Sequence, residues 1–219
     1  DIINNRKFTL LGDPAVRLGF PTLKVKTTAI NNQVPVADTL KALDRYTIKG
    51  EVTDAAGNRI NNFNGNVYPV IYDKVQQVKT IGNDAGSVVT DFNQQSNIIF
   101  KGKAKVTNGE FSYSFVVPKD INYQFGNGKI SYYAENGNVD GNGAETTIVV
   151  GGASENPVTD NDGPGIRAYL NDEKFVNGGI TNETPVLFLK LSDSSGINTV
   201  GTGIGHDLTA TLDDDYSQF

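Results

Sequence analysis

The feature that most constrains this chain is a two-residue alternation in residues 109–118. Phe111, Tyr113, Phe115 and Val117 are apolar, and Glu110, Ser112 and Ser114 stand between them. Successive side chains of a strand point to opposite faces, so this pattern predicts a strand with one buried and one wet face. Residues 98–106 read as its hairpin partner. Between them, Asn108-Gly109 is the dipeptide that best tolerates the positive φ of a tight hairpin turn.

The same grammar recurs along the chain, whereas helical periodicity is scarce. The best helical candidate, residues 38–43, is long enough for a single turn or a connector. Strands are expected at Leu23–Ile30, with Leu23, Val25 and Thr27 on one face, and at residues 46–52, closed by a turn at 54–58. Further strands are expected at residues 66–73, 129–134 and 146–150. Pro69 marks an edge or irregular position in the first of these, because proline cannot donate a ladder hydrogen bond. Some seven strands at this spacing predict an all-β fold, a β-sandwich. Residues 82–97 are polar and read as a long loop.

Residues 151–157 and 160–164 are dense in Gly, Asn, Asp and Pro and read as a linker. Strand patterning resumes at 166–170 and 186–191. Val52-Thr53-Asp54-Ala55-Ala56-Gly57 resembles Leu191-Ser192-Asp193-Ser194-Ser195-Gly196, a strand closed by Asp-x-x-Gly in both places. The expected organisation is therefore a β-sandwich over residues 23–152, a linker over 153–164, and the start of a second β module over 165–219.

Composition narrows the function classes. Apolar residues make up 37% of the chain, enough for a core, and the net charge of −6 is spread rather than blocked. Neutralising phosphates needs clustered Lys and Arg, so nucleic acid is not an expected partner. The chain has no Cys, which excludes disulfides, thiolate metal sites and a cysteine nucleophile. It opens Asp1-Ile2-Ile3 without Met, which reads as a start inside a longer protein. No signal peptide and no apolar run long enough for a membrane helix is present in the sequence.

Each chemical constellation has a plainer structural reading. His206 is the one histidine; beside Asp207, and with Ser194 or Ser195, it could be drawn as a hydrolase triad, but such triads are recognised by geometry. It is read as a structural or surface residue. Gly201, Gly203 and Gly205 lack the spacing and βαβ context of a nucleotide loop. Asn136, Asn138 and Asp140 resemble the front of a Ca²⁺ loop, yet position twelve is Thr147 rather than Glu, so a hairpin loop is expected. Asp160 and Asp162 fall in the linker, where carboxylates sometimes bind Ca²⁺ between β modules, but a plain linker is expected; Asp213-Asp214-Asp215 reads as a solvated turn or frayed end. Tyr132, Tyr133 and Phe125 could form a sugar-stacking platform, although aromatics in such strands are more often core. No catalytic, cofactor-binding or metal-binding residue is assigned.

Several segments in consistent order resemble the gingipain-like cysteine peptidases, and within them the sortase of the type IX secretion system of Bacteroidetes. Residues 5–15, with Leu11-Gly12-Asp13-Pro14, are similar to the end of that family's peptidase domain. Gly50-Glu51-Val52-Thr53-Asp54, Tyr72-Asp73-Lys74, residues 115–121 and Ile130-Ser131-Tyr132-Tyr133-Ala134 are similar to the immunoglobulin-like module that follows. Asn171-Asp172-Glu173, residues 175–179 and residues 203–207 are similar to the next region.

The resemblance implies a cell-surface protein, outside the outer membrane, that cleaves C-terminal sorting domains from cargo and attaches the cargo to a lipid-linked anchor. The catalytic Cys and His would lie upstream, and this chain would be a non-catalytic accessory region. Its implied partners are the upstream peptidase domain, outer-membrane secretion proteins and cargo. Residues 1–22 would be the tail of the peptidase domain. Their apolar members Phe8, Leu10, Leu11, Val16, Leu18 and Phe20 are expected to pack on the module and make it a rigid buttress. The alternative reading is a cell-surface adhesin or carbohydrate-binding β module.

Overall fold

The computed structural model describes residues 19–31, 39–160 and 162–193, with 197 and 211. Among these residues there are fifteen strands and no helix. The first seven are β1 (Leu23–Ile30), β2 (Thr39–Ala42), β3 (Arg45–Thr53), β4 (Gly65–Tyr72), β5 (Gln76–Lys79), β6 (Asp91–Gln94) and β7 (Ile98–Lys101). Then come β8 (Ala104–Thr107), β9 (Glu110–Val116), β10 (Gly126–Asn127) and β11 (Lys129–Glu135). The last four are β12 (Asp140–Glu145), β13 (Val149–Ala153), β14 (Gly165–Leu170) and β15 (Leu187–Ser192).

The all-β class expected from the sequence is the one the chain adopts. Antiparallel pairings run β1–β3–β9–β8–β4–β11–β12. A short parallel pairing, Leu23 opposite Gly141 and Lys24 opposite Asn142, returns β12 to β1. The layers expected of a sandwich are thus joined into a closed ring, which leaves few unpaired edges. Inside it, alternation does what the pattern predicts. Phe111, Tyr113, Phe115 and Val117 are buried, facing Tyr46, Ile48, Val52, Val67, Ile71 and Ile130 in one core.

Asn108 and Gly109 take φ of 52° and 76°, the two positive values that a tight turn between right-twisted strands requires. The arm before this turn differs from expectation, because residues 98–106 break at Gly102 into β7 and β8. Pro69 explains where. It lies inside the sheet rather than at an edge, with Tyr132 of β11 opposite on one side. On the other side β8 ends, with Val67 opposite Ala104, and β7 begins, with Val70 opposite Lys101. The missing proline N–H faces that break, where the Gly102 N–H donates to the Pro69 carbonyl at 3.1 Å.

Four local expectations are corrected. Residues 39–42, within the segment expected as a turn or connector, form no helical turn: β2 pairs in parallel with β13, burying Leu40 and Ala42 two positions apart on one face. Residues 82–97 are not all loop, since β6 pairs with β5 in an exposed ribbon held by its ladder and not by apolar burial. The strand expected at 146–150 lies at Val149–Ala153 and runs through glycines read as linker. Ahead of it β12, which has no large apolar residue, lies where a hairpin loop is expected. After β13 the chain stays bound to β2 and the residue that follows it, with Ser154 N–H donating to Ala42 O and Val158 N–H to Leu43 O.

A buried ion pair ties three of these parts together. Lys74 Nζ lies 2.6 Å from Asp73 Oδ1 and donates to the carbonyls of Asn122 at 2.7 Å and Val150 at 3.3 Å. The other Asp73 oxygen accepts from Asn122 N–H. Both charges are nearly out of water, and these bonds from the end of β4 to β13 and the 119–125 loop compensate the desolvation.

Candidate interaction surfaces

The outward face of β4, β11 and β12 carries an ordered set of polar and aromatic groups. Alternation in β4 buries Val67 and Ile71 and turns Asn66, Tyr68, Val70 and Tyr72 outward. On β11 it turns out Lys129, Ser131, Tyr133 and Glu135. Register then places Tyr68 opposite Tyr133 and Asn66 opposite Glu135. The two rings have centroids 6.3 Å apart and are tilted by 32°. Tyr133 is 44% exposed.

Hydrogen bonds fix both rings from the side. Tyr68 donates to Glu135 Oε1 and Tyr133 to Asp140 Oδ2, each at 3.2 Å. Asn66 Nδ2 also donates to Glu135 Oε1, at 3.0 Å, and Gly137 N–H to Oε2. The Asn66 bond foremost holds the Glu135 carboxyl below its usual pKa, with Tyr68, Gly137 and Lys103 acting in the same direction. The Tyr133 phenol is raised by desolvation at the sheet surface and by the Asp140 charge.

A row of lysines borders these tyrosines. Lys101 lies opposite Val70 and Lys105 opposite Asn66, so both point outward. Lys103, between them, stands 5.5 Å from the Tyr68 ring centroid, and Lys129 stands 4.4 Å from that of Tyr72. Among the described residues none of the four is in an ion pair with a carboxylate. The sequence shows no basic block, but the fold builds one from Lys101-x-Lys103-x-Lys105 and a strand paired across the sheet. Lys105 also lines an open groove of about 600 Å³ with Thr28, Lys49, Glu51, Glu110 and Ser112.

The second surface is the β14–β15 hairpin. Its register sets Ile166 opposite Leu191, Ala168 opposite Leu189 and Leu170 opposite Leu187, all on one face. The other face carries Arg167 opposite Lys190, and the Tyr169–Phe188 ring pair with centroids 6.1 Å apart. Leu187 and Leu189 are 47% and 42% exposed, and Ile166 more so. A two-stranded hairpin is marginal by itself, and a wholly apolar face on it is built to be covered.

The residues singled out from sequence fare differently. Tyr132 is buried, Tyr133 points the other way, and Phe125 is exposed elsewhere, beside Gly152 of β13. That trio therefore makes no common platform; Tyr68, missed in the sequence, is the true neighbour of Tyr133. Asn136 Oδ1 accepts the N–H groups of Asn138 and Val139, the bonding of a turn. Asp160 Oδ1 accepts from Asp162 N–H in the same way. Among the described residues no three His, Cys, Asp or Glu side chains converge, and no helix is long and apolar enough to cross a membrane. Ser194, Ser195, Gly201, Gly203, Gly205, His206, Asp207 and Asp213–215 lie outside the described residues. So does the segment 1–18; Phe20, just beyond it, is 75% exposed.

A solved structure decides what this arrangement is like. Dimeric latent PorU from Porphyromonas gingivalis is 37% identical, over 90% of this chain and 19% of that one, with a TM-score of 0.62. The chain resembles one stretch of PorU. With 90% of the chain covered, the likeness to PorU is not confined to the ring but takes in the β14–β15 region. The chain spans about a fifth of the length of that PorU chain, and it has no cysteine to serve as a cysteine-peptidase nucleophile. Spo0M, a sporulation control protein from Bacillus subtilis, gives 12% identity over 60% of this chain and 50% of that one, at a TM-score of 0.36. The ASH/PapD-like domain of human CEP192 gives 10% over 67% and 96%, at 0.27. At these scores neither likeness bears on function. No protein-family model and no curated protein matches the chain.

Proposed function

We propose that this chain is the non-catalytic immunoglobulin-like region of a PorU-type protein of the type IX secretion system, working at the cell surface. In this reading it supports and orients a gingipain-like peptidase domain that cleaves sorting domains from cargo. The observation that carries the reading is the 37% identity to 19% of a PorU chain, in a chain without cysteine. The apolar face of β14–β15 supports it physically. Fully burying each of Leu187, Leu189, Leu191, Ile166 and Leu170 is worth about 1.5–3 kcal/mol, enough together to hold two domains in one pose.

The test is made in the longer protein that carries the peptidase domain, with Leu187→Ser and Leu189→Ser combined. Expected is a loss of sorting-domain cleavage of about tenfold or more, a misplacement effect. Melting of the ring measured on the 219-residue chain should stay unchanged. Full cleavage activity in the double variant would contradict the supporting role. A second reading, a carbohydrate-binding module, is favoured by the tyrosine and lysine face on β4 and β11.

A further inference from the structure

The groove at Lys105 mixes charges of both signs, and nothing shows what would cover the β5–β6 ribbon with exposed Ile81, Val88 and Phe92. A reactive pair carried by the backbone itself leads further. In an Asn-Gly pair the glycine has no Cβ to keep its nitrogen from the asparagine side-chain carbon. Once that N–H loses its proton, the nitrogen attacks Cγ, expels ammonia and closes a cyclic imide. Water then opens either imide carbonyl. The product is an aspartate, or an iso-aspartate whose backbone runs through the former side chain.

The chain has six such pairs, and the fold holds five of them. Gly109 N–H donates to the Phe63 carbonyl at 2.8 Å and Gly128 N–H to that of Ile148 at 3.0 Å. Glu135 Oε2 accepts the Gly137 N–H, while Asn136 Oδ1 accepts two backbone N–H groups. Asn64 is held at both ends of its amide, Oδ1 accepting from Asn108 N–H and Nδ2 donating to Asn62 O. Asn142-Gly143 lies within β12, between β11 and β1, with Gly143 packed on the Val25 carbonyl. The sixth pair, Asn177-Gly178, is open. It forms the centre of a turn closed by Gly179 N–H on the Val176 carbonyl at 2.9 Å, with Gly178 at a φ of 82°. Among the described residues no hydrogen bond engages the Asn177 side chain or the Gly178 N–H, and both residues are exposed. Apart from its chain neighbours, no atom stands within 4 Å of where a Cβ on Gly178 would be. At the base of the same loop the Asn171 side chain bonds Thr181, Asn182 and Val186.

We propose that Asn177 is a self-modification site, converted to aspartate and iso-aspartate with the Gly178 nitrogen as nucleophile and water as co-reactant. The product adds one negative charge, and in the iso form one backbone carbon, at the tip of the loop that joins β14 to β15. The bonds of Asn171 at the loop base are not consumed. The step uses no other domain, so it stands or falls apart from the supporting function.

Mass spectrometry of the 219-residue chain tests it, after ageing in mildly alkaline buffer made with heavy-oxygen water. Digestion follows in ordinary water, so that only conversion during ageing carries the label. Cleavage after Lys174 and Lys190 releases residues 175–190, which hold Asn177 and, for internal comparison, Asn182 before Glu183. That peptide should exchange an amide NH2 for a heavy hydroxyl, split into two chromatographic isomers, and react faster as pH rises. The held pairs should react at least about tenfold more slowly in the folded chain, since each needs local opening first, and should approach the Asn177 rate in urea. Asn177→Gln should abolish the gain in this peptide. No labelled gain in residues 175–190, a gain that persists in Asn177→Gln, or a held pair reacting as fast as Asn177 in the folded chain would each overturn the site. So would an Asn177 rate that rises more than about tenfold in urea, because the fold would then be protecting it.

Discussion

Tyr132 and Thr27, 105 positions apart, share a hydrogen bond of 2.7 Å between their hydroxyls. It links β11 to β1 inside the ring, and the Tyr132 hydroxyl stands 3.4 Å from that of Tyr113. Removing one hydroxyl leaves its buried partner short of a bond, a cost of about 1–3 kcal/mol. Tyr132→Phe should therefore destabilise the chain by that amount in urea, while Tyr133→Phe, at the surface, should cost less than half as much.

Tyr113 and Tyr132 set an alkaline limit. Burial first, and then the neighbouring phenol, raises the Tyr113 hydroxyl well above the ordinary 10.0. Tyr132 is raised foremost by burial, against the opposing bonds from Thr27 and Tyr113. The folded chain thus keeps protons that the unfolded chain releases above about pH 10. That contribution to stability is complete below pH 10 and is lost as pH rises through the folded values. Stability measured between pH 9 and 11.5 should fall, and the fall should shrink in the Tyr113→Phe/Tyr132→Phe double variant. An unchanged pH profile in that variant would refute the assignment.

Gly143 marks the seam between β12 and β1. A Cβ there would overlap the carbonyl oxygen of Val25, a backbone atom that cannot move aside alone. Gly143→Ala should push β12 from β1 and cost about 1–3 kcal/mol or more, as overpacking does. Melting temperature reads this directly; a fall no larger than that of an exposed strand substitution would mean the seam is loose.

Phe115 lies against Phe100, with ring centroids 4.8 Å apart, and is almost fully buried. Phe115→Ala should cost about 3–5 kcal/mol. A loss below about 1 kcal/mol would mean that the other face of β9 is the buried one.

Much of this ring was legible because alternation is a local signal. The strands around Phe111, Ile48, Val67 and Ile130 announce themselves by an apolar residue at every second position. β12 could not be read so, since Gly141 and Gly143 face inward and close backbone approach replaces side-chain burial. β2 is not legible locally, because Leu40 and Ala42 fit a short turn until a strand more than a hundred positions later pairs with them. Tyr68 and Tyr133 come together only through the β4–β11 register, which no local pattern fixes. The Lys101-x-Lys103-x-Lys105 alternation, by contrast, is visible in the sequence, although the strand breaks at Gly102 and leaves Lys103 between β7 and β8.

Hydrogen–deuterium exchange across β14 and β15 tests the central claim most directly. Amides of residues 166–170 and 187–191 should exchange fast in the isolated 219-residue chain, where their apolar face is bare, with the ring protected. In the longer protein the same amides should become protected by at least about a hundredfold, because a neighbouring domain covers Leu187, Leu189 and Leu191. Equal exchange in both would show that nothing docks there, and the supporting role would fall.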